Sequence, residues 1–192
     1  MLKNKILFFT SNNSKIKEAN KIIGDKIKVI SLKNLPKTKE PIENGKTFVE
    51  NAKIKSIFGF KKFQIPCFAD DSGICIEALN NKPGIGSKRY LSKFKNNKEA
   101  FNFILSKTKL NTKACFVCSI CLTLKLGHYL IFEGRVHGNI AAKPKGFNGF
   151  GYDPIFIPDG HEKTFSEMTS NKKNSLSHRC IAIKKMLNFL KN

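Results

Sequence analysis

The sequence predicts a mixed α/β domain. Short apolar runs that read as strands alternate with segments of helical periodicity, and two long strand-like runs flank Gly127 as an antiparallel hairpin. At 192 residues the chain fits one domain, residues 1–192, or one domain with two lobes, and can bury a core.

The elements follow in order. Lys5 to Thr10 reads as a buried strand, and a helix from about Ser14 carries Ile16, Ala19, Ile22 and Ile23 on one face. Ile27 to Leu32 is a second strand, followed by a polar stretch with Pro36, Pro41 and Gly45. Thr47-Phe-Val-Glu50 is a capping box: the Thr47 hydroxyl takes the amide three residues on, Glu50 reaches back, and a helix through Ala52 to Phe58 follows. Pro66 opens a strand pair, Cys67 to Asp70 and Ile74 to Ala78, broken at Ser72-Gly73. Lys98 to Leu105 is helical in pattern, and Thr112 to Leu126 with His128 to Val136 form the hairpin. A glycine-rich loop runs from Pro144 to Pro154, and Ser177 to Leu190 is an amphipathic helix with Ile183, Met186, Leu187 and Leu190 inward. There is no internal repeat and no linker.

Composition narrows the function classes. No apolar run approaches the roughly 18 residues of a membrane span. The basic start of MLKNKILFFTSNNSK hints at a leader, but Ile6 to Thr10 is too short for its apolar core and a polar turn follows, so a cytoplasmic protein is expected. The net charge of +21 suggests nucleic acid, yet the basic residues are almost all lysine, spread along the chain, with Arg89, Arg135 and Arg179 the only arginines. A dedicated nucleic-acid partner is therefore not expected, although the charge favours encounter with polyanions such as nucleotides. Cys115-Phe-Val-Cys118-Ser-Ile-Cys121 has two overlapping C-x-x-C spacings, but it lacks a fourth ligand at a familiar spacing and lies in a strand-like run. Core packing is the expected role for these cysteines.

Four segments carry candidate chemistry. Thr10-Ser-Asn-Asn-Ser-Lys15 joins a strand to a helix, where amides and the helix dipole cradle phosphate and Lys15 adds a full charge; alternatively Asn13 or Ser14 only caps the helix. Phe68-Ala-Asp70-Asp71-Ser72-Gly73 places two carboxylates after apolar residues, a costly arrangement unless they are paired or bind metal; the alternative is an Asp-Ser-Gly turn. Neighbours on a strand face opposite ways, so the two aspartates should have different surroundings. Gly146-Phe-Asn-Gly149-Phe150-Gly151-Tyr152-Asp153-Pro154 reads as a flexible loop that brings a ring against a base, with a carboxylate to read its edge, or as a turn whose aromatics plug the core. Lys172-Lys173-Asn-Ser-Leu-Ser177-His178-Arg179 puts positive side chains at a helix start, against the dipole, so that an anion or keto oxygen would explain them; a surface charge run is the alternative.

Together these segments resemble the inosine triphosphate pyrophosphatase family. The matching pieces are TSNNSK, TFVENAKIKS, FADDSGICIEAL, PGIGSKRY, GFGYDPIF and KNSLSHR, in the family's order from Thr10 to Arg179. The resemblance implies a long curved mixed sheet with flanking helices forming two lobes around a central cleft, and a homodimer. It implies Mg²⁺-dependent hydrolysis of deaminated purine nucleoside triphosphates (ITP, dITP, XTP) to the monophosphate and pyrophosphate. By the same resemblance Thr10, Ser11, Asn12, Asn13, Ser14 and Lys15 bind the triphosphate, aided by Lys55, and Ser72 lies against the substrate. Asp71 is the general base and a metal ligand, with Glu43 as the second ligand and Glu40 and Glu50 as alternatives. Phe150 stacks on the base, which Gly151, Tyr152, Asp153, Lys173, His178 and Arg179 enclose and read. Ser11 stands where many members carry glycine, which predicts strain of roughly 1 kcal/mol or more if that backbone is left-handed. Gly86 and Lys88 in PGIGSKRY replace the aromatic and small residues common there. The rival readings are a Maf-like nucleotide pyrophosphatase, which lacks the GFGYDPIF and SHR pairing, and a basic nucleic-acid-binding protein.

Overall fold

A computed structural model describes residues 5–191. Met1–Asn4, the basic start that entered the leader reading, lie outside the described residues. The elements are β1 (Lys5–Phe8), α1 (Asn13–Ile23), β2 (Lys28–Ser31), α2 (Phe48–Phe63), β3 (Cys67–Ile76), β4 (Lys82–Pro83), α3 (Ser87–Leu91), α4 (Asn97–Ser106), β5 (Lys113–Lys125), β6 (His128–Ile140), β7 (Phe156–Pro158), α5 (Ser170–Leu176) and α6 (His178–Lys191). The sheet runs β2-β1-β3-β5-β6-β7, with β4 paired to β3, and is mixed: β1 pairs in parallel with β2 and β3, whereas β3–β4 and β6–β7 are antiparallel. The predicted mixed α/β class therefore holds.

The chain divides into two compact units. The first comprises the described residues through Asp71, Cys118–Gly134, and the residues from Arg179 on. Its centre is β1, buried on both faces as a parallel strand should be. Ile6 and Phe8 pack with Ala19 and Ile23 of α1, Ile120 and Leu122 of β5, and Ile183 and Met186 of α6. Leu7 and Phe9 face the other way, onto Phe60 of α2 with Cys67 and Ala69 of β3. Phe8 stacks on Phe68 across the β1–β3 pair, ring centroids 4.3 Å apart. The second unit comprises Ser72–Val117 and Arg135–His178. Its core joins Ile74 and Ile76 of β3, Phe101 and Ile104 of α4, Phe116 of β5, and Tyr152, Ile155, Phe156 and Phe165.

Three local expectations are corrected. The break at Ser72-Gly73 does not exist, because β3 runs unbroken from Cys67 to Ile76. Gly73 is there for close approach: a Cβ would collide with the Gly84 carbonyl and the Ser87 hydroxyl. That hydroxyl accepts from the Ile74 amide at 3.0 Å and donates to Gly84 O at 2.7 Å. Next, the final helix predicted from Ser177 is present as α6, but Lys172 and Lys173 do not lie at its start. Ser177 has ψ 151°, ending α5, so Lys172 and Lys173 belong to α5 and only His178 and Arg179 open α6. The capping box is half as read: Thr47 Oγ1 accepts from Glu50 N at 3.1 Å, but the Glu50 carboxylate takes the Lys46 amide.

Candidate active site

Alternation along β3 gives the two aspartates different surroundings, as expected, and both are buried in the first unit, Asp70 at 1% and Asp71 at 6% exposure. Asp70 lies among cations. Its Oδ1 accepts from Lys15 Nζ at 3.0 Å, its Oδ2 from Arg179 Nη2 at 3.1 Å and Nε at 3.3 Å, and Cys118 Sγ contacts Oδ2 at 3.8 Å. Arg179 also donates from Nη1 to Glu18 Oε2. Desolvation works against its charge, and Asp70 and Glu18 more than offset that, so it stays protonated. This corrects the reasoning that singled out Arg179: its charge has a structural use, and the guanidinium is committed to two carboxylates rather than displayed.

Asp71 is held differently. Asn51, wholly buried on the first turn of α2, donates from Nδ2 to Asp71 Oδ2 at 3.0 Å and accepts from the Gly45 amide at 2.9 Å. Burial pushes the Asp71 pKa above the usual carboxylate range; Lys55, Asn51 and Lys15 pull it back, and nearby Glu43 adds to the rise. Lys55 Nζ donates to the Asp70 carbonyl at 2.6 Å and to Glu43 Oε2 at 3.1 Å. Burial opposes its charge, but Asp70, Asp71 and Glu43 together hold its pKa above the ordinary lysine value. Of the three glutamates left open in the sequence, Glu43 acts on Asp71, whereas Glu40 accepts from the Ser11 amide at 2.9 Å and Glu50 from Lys46.

The phosphate-loop candidates open α1. The cap is Asn12, not Asn13 or Ser14: its Oδ1 accepts from Ser14 N at 2.9 Å and Lys15 N at 3.2 Å. Thr10 Oγ1 takes the Asn12 amide at 3.2 Å. Ser11 is not left-handed, since the described non-glycine residues with positive φ are Gln64, Asn80, Asn81 and Asn111. The glycine-to-serine departure therefore carries no such strain. Thr10 is buried and Lys15 half-buried, so the loop is anchored at both ends while Ser11 is exposed.

The second unit gathers the aromatic loop. Phe150 is half-buried, with Lys173 Nζ 4.7 Å from its ring centroid. Asp153 is buried and accepts from Lys173 Nζ at 2.5 Å and from Phe150 N at 2.7 Å. Its carboxylate thus locks the loop and aims the lysine, instead of presenting a free edge to a base. Tyr152 is corrected too: its ring lies in the core, and its hydroxyl donates to Ser87 O at 2.8 Å. The loop is fixed rather than slack, through Lys145 N to Pro154 O at 2.9 Å and Asn148 N to Ser166 O at 3.1 Å. His178 stacks on Phe116, centroids 4.7 Å apart and planes 6° from parallel. Gly151 turns with φ 63°, and Ser72 follows Asp71 along β3, half-buried. Gly149 has φ 79°, and a Cβ there would strike the Asp153 carboxylate. Gly149→Ala is accordingly expected to cost about 1–3 kcal/mol, read as a lower Tm, whereas an unchanged melting curve would contradict the fixed loop.

Sequence reasoning brought out Lys15, Lys55, Glu43, Asp71, Phe150, Asp153 and Lys173. It missed Asn51 and Glu18. Asn51 lay inside the quoted TFVENAKIKS, and a polar residue at a buried helix position must have a partner. Glu18 gave no such signal, because its partner Arg179 lies 161 residues away. The cysteines are all free thiols. Cys118 packs in the core with Ile120 and Leu122, and burial raises the Cys121 thiol pKa, with Ser56 and Thr123 opposing. Among the described residues no group of three or more His, Cys, Asp or Glu could hold a metal. The purified protein is expected to carry no stoichiometric iron or zinc after dialysis, and elemental analysis finding about one per chain would overturn this.

Fold and site together define a mixed α/β protein that buries a carboxylate centre paired with lysine, arginine and asparagine. More particularly, the chain belongs to the Ham1 family, whose profile matches residues 6–189. It is 38% identical over 189 residues to a dITP/XTP pyrophosphatase of Porphyromonas gingivalis, covering 97% of each chain. A dITP/XTP pyrophosphatase of Halalkalibacterium halodurans is 41% identical over 183 residues, with coverage of 92% of this chain and 94% of that protein. Among solved structures, a HAM1 protein from Coxiella burnetii superimposes with TM-score 0.86 at 36% identity, covering 100% of this chain and 99% of the other. No helix among the described residues is long and apolar enough to cross a membrane.

Proposed function

We propose that this chain hydrolyses deaminated purine nucleoside triphosphates, ITP, dITP and XTP, to the monophosphate and pyrophosphate. The observation that carries the reading is Asp71: a buried carboxylate, raised in pKa, oriented by Asn51 and set close to Lys55 and Glu43. Its relatives named dITP/XTP pyrophosphatase support the same substrate class.

The donor set fits magnesium. Mg²⁺ prefers one or two carboxylates plus phosphate oxygens and water to an all-protein cage. Asp71 and Glu43 are two such oxygen donors, and burial together with the neighbouring Glu43 charge raises the Asp71 pKa, a cost that a bound cation would offset. These two would hold the ion, which when bound neutralises phosphate charge and makes the α-phosphorus easier to attack. Asp71 orients water and accepts its proton, a role that a raised carboxylate pKa favours. Lys15, Lys55 and the Ser11–Ser14 segment answer the charge of the triphosphate. Asp70 is assigned to positioning, bracing Lys15 and Arg179.

In the second unit, Phe150 stacks on the base and Lys173 and His178 face the 6-keto edge. A keto oxygen satisfies those donors, whereas the amino group of adenine leaves them without an acceptor. Two such hydrogen bonds, at about 1.5 kcal/mol each, support a preference of roughly 10²-fold. Arg179 contributes through Asp70 rather than by touching the base. A single domain of two units, a homodimer and a cytoplasmic location complete the proposal.

The test is pyrophosphate release from ITP, XTP, GTP, ATP and dTTP with Mg²⁺, repeated in EDTA. The expected result is rapid turnover of ITP and XTP, slow turnover of ATP and dTTP, and loss of all turnover in EDTA with recovery on added Mg²⁺. Equal rates on ITP and ATP would overturn the base assignment, and full activity in EDTA would overturn the metal.

A further inference from the structure

The Ser11 amide already holds an anion: the Glu40 carboxylate accepts from Ser11 N at 2.9 Å. Glu40 lies 29 residues along the chain and has no part in the α1 cap, which Asn12 and Thr10 supply locally. A carboxylate on a backbone N–H presents the charge and acceptor geometry that a phosphate oxygen would present there. Ser11 is exposed and Glu40 half-buried, so the bond can exchange with solvent or with a ligand.

The surroundings supply a place for the carboxylate to go. Ser11 and Glu40 border a cavity of about 450 Å³ in the first unit, rimmed by Lys33, Lys37 and Lys39. All three lysines are exposed and line the same cavity as Glu40, so they offer positive charge on the side to which a carboxylate released from Ser11 would move.

We infer that Glu40 is an internal competitor for the phosphate loop, occupying the Ser11 amide until a condensed phosphate group displaces it toward the lysine rim. This rests on the proposal that Thr10–Lys15 bind the triphosphate. Glu40 is a specificity-determining residue in this account: it touches the amide the substrate needs and raises the anionic charge a ligand must carry to bind.

The probe is inorganic tripolyphosphate, whose affinity is measured by calorimetry on the whole chain at low and high salt. Glu40→Gln keeps an acceptor of the same shape but removes the charge, and Glu40→Ala removes both. Both variants are expected to bind tripolyphosphate about twofold to fivefold more tightly at low salt, with the gain shrinking at high salt, the scale of an exposed charge interaction. A purely structural Glu40 would weaken binding or leave it unchanged, and either result overturns the inference. Lys15→Gln separates the two levels of the claim. If it weakens tripolyphosphate binding while the Glu40 variants do nothing, the phosphate loop stands and the Glu40 role falls. If it has no effect, the phosphate-loop reading itself fails, and the inference with it.

Discussion

Asp71→Asn is expected to lower kcat at least about 10²-fold, the loss typical of a missing general base, and further if a metal ligand goes with it. The substitution preserves shape, and Asn51 can still hydrogen-bond the new side chain, so the fold should survive. Burial raises the Asp71 pKa and would favour the uncharged amide in the folded state, so stability should hold or rise. Binding of ITP should persist, because Lys15, Lys173 and the Ser11–Ser14 segment are untouched. Asp70→Asn makes the informative contrast. It strips a fully buried partner from Lys15 and Arg179, so its first effect is on stability, with a smaller loss in kcat. A silent Asp70→Asn enzyme beside a near-normal Asp71→Asn enzyme would reverse the assignment.

Arg179→Ala is expected to destabilise the protein by about 3–5 kcal/mol, because it leaves the buried Asp70 and the half-buried Glu18 without their shared cation. For a chain of this size that corresponds to a fall in Tm of roughly 10 °C. Arg179→Lys should recover little, since one ammonium cannot span both carboxylates as the guanidinium fork does. In the double variant with Asp70→Asn the two losses should fall short of their sum, the mark of a direct pair. An Arg179→Ala protein with wild-type Tm and a collapsed preference for ITP over ATP would return Arg179 to base reading.

What was legible in the sequence, and what was not, divides by distance along the chain. The buried β1, the α1 face with Ala19 and Ile23, and the hairpin around Gly127 are local patterns, and all three are present. Gly73 misled because it was read from its neighbours alone. Gly73 is small for the sake of Gly84 and Ser87, which pack against it. The start of α6 at Ser177-His178 was legible, but the separate short helix that carries Lys172 and Lys173 was not. In the site, the Asp70-Asp71 pair announced itself by charge after an apolar run. The partners that give the two carboxylates separate roles did not, because Arg179 meets Asp70 across 109 residues and Asn51 meets Asp71 across 20.

The most direct test of the central claim is hydrolysis of ITP with Mg²⁺ in water enriched in ¹⁸O, with the products resolved by mass spectrometry. Attack at the α-phosphorus places the new oxygen in the nucleoside monophosphate and leaves pyrophosphate unlabelled, with the two products in equal amounts. That is the predicted result. Label in pyrophosphate would mean attack at the β-phosphorus, and labelled orthophosphate beside a nucleoside diphosphate would mean cleavage at the far end of the chain; either would contradict the account.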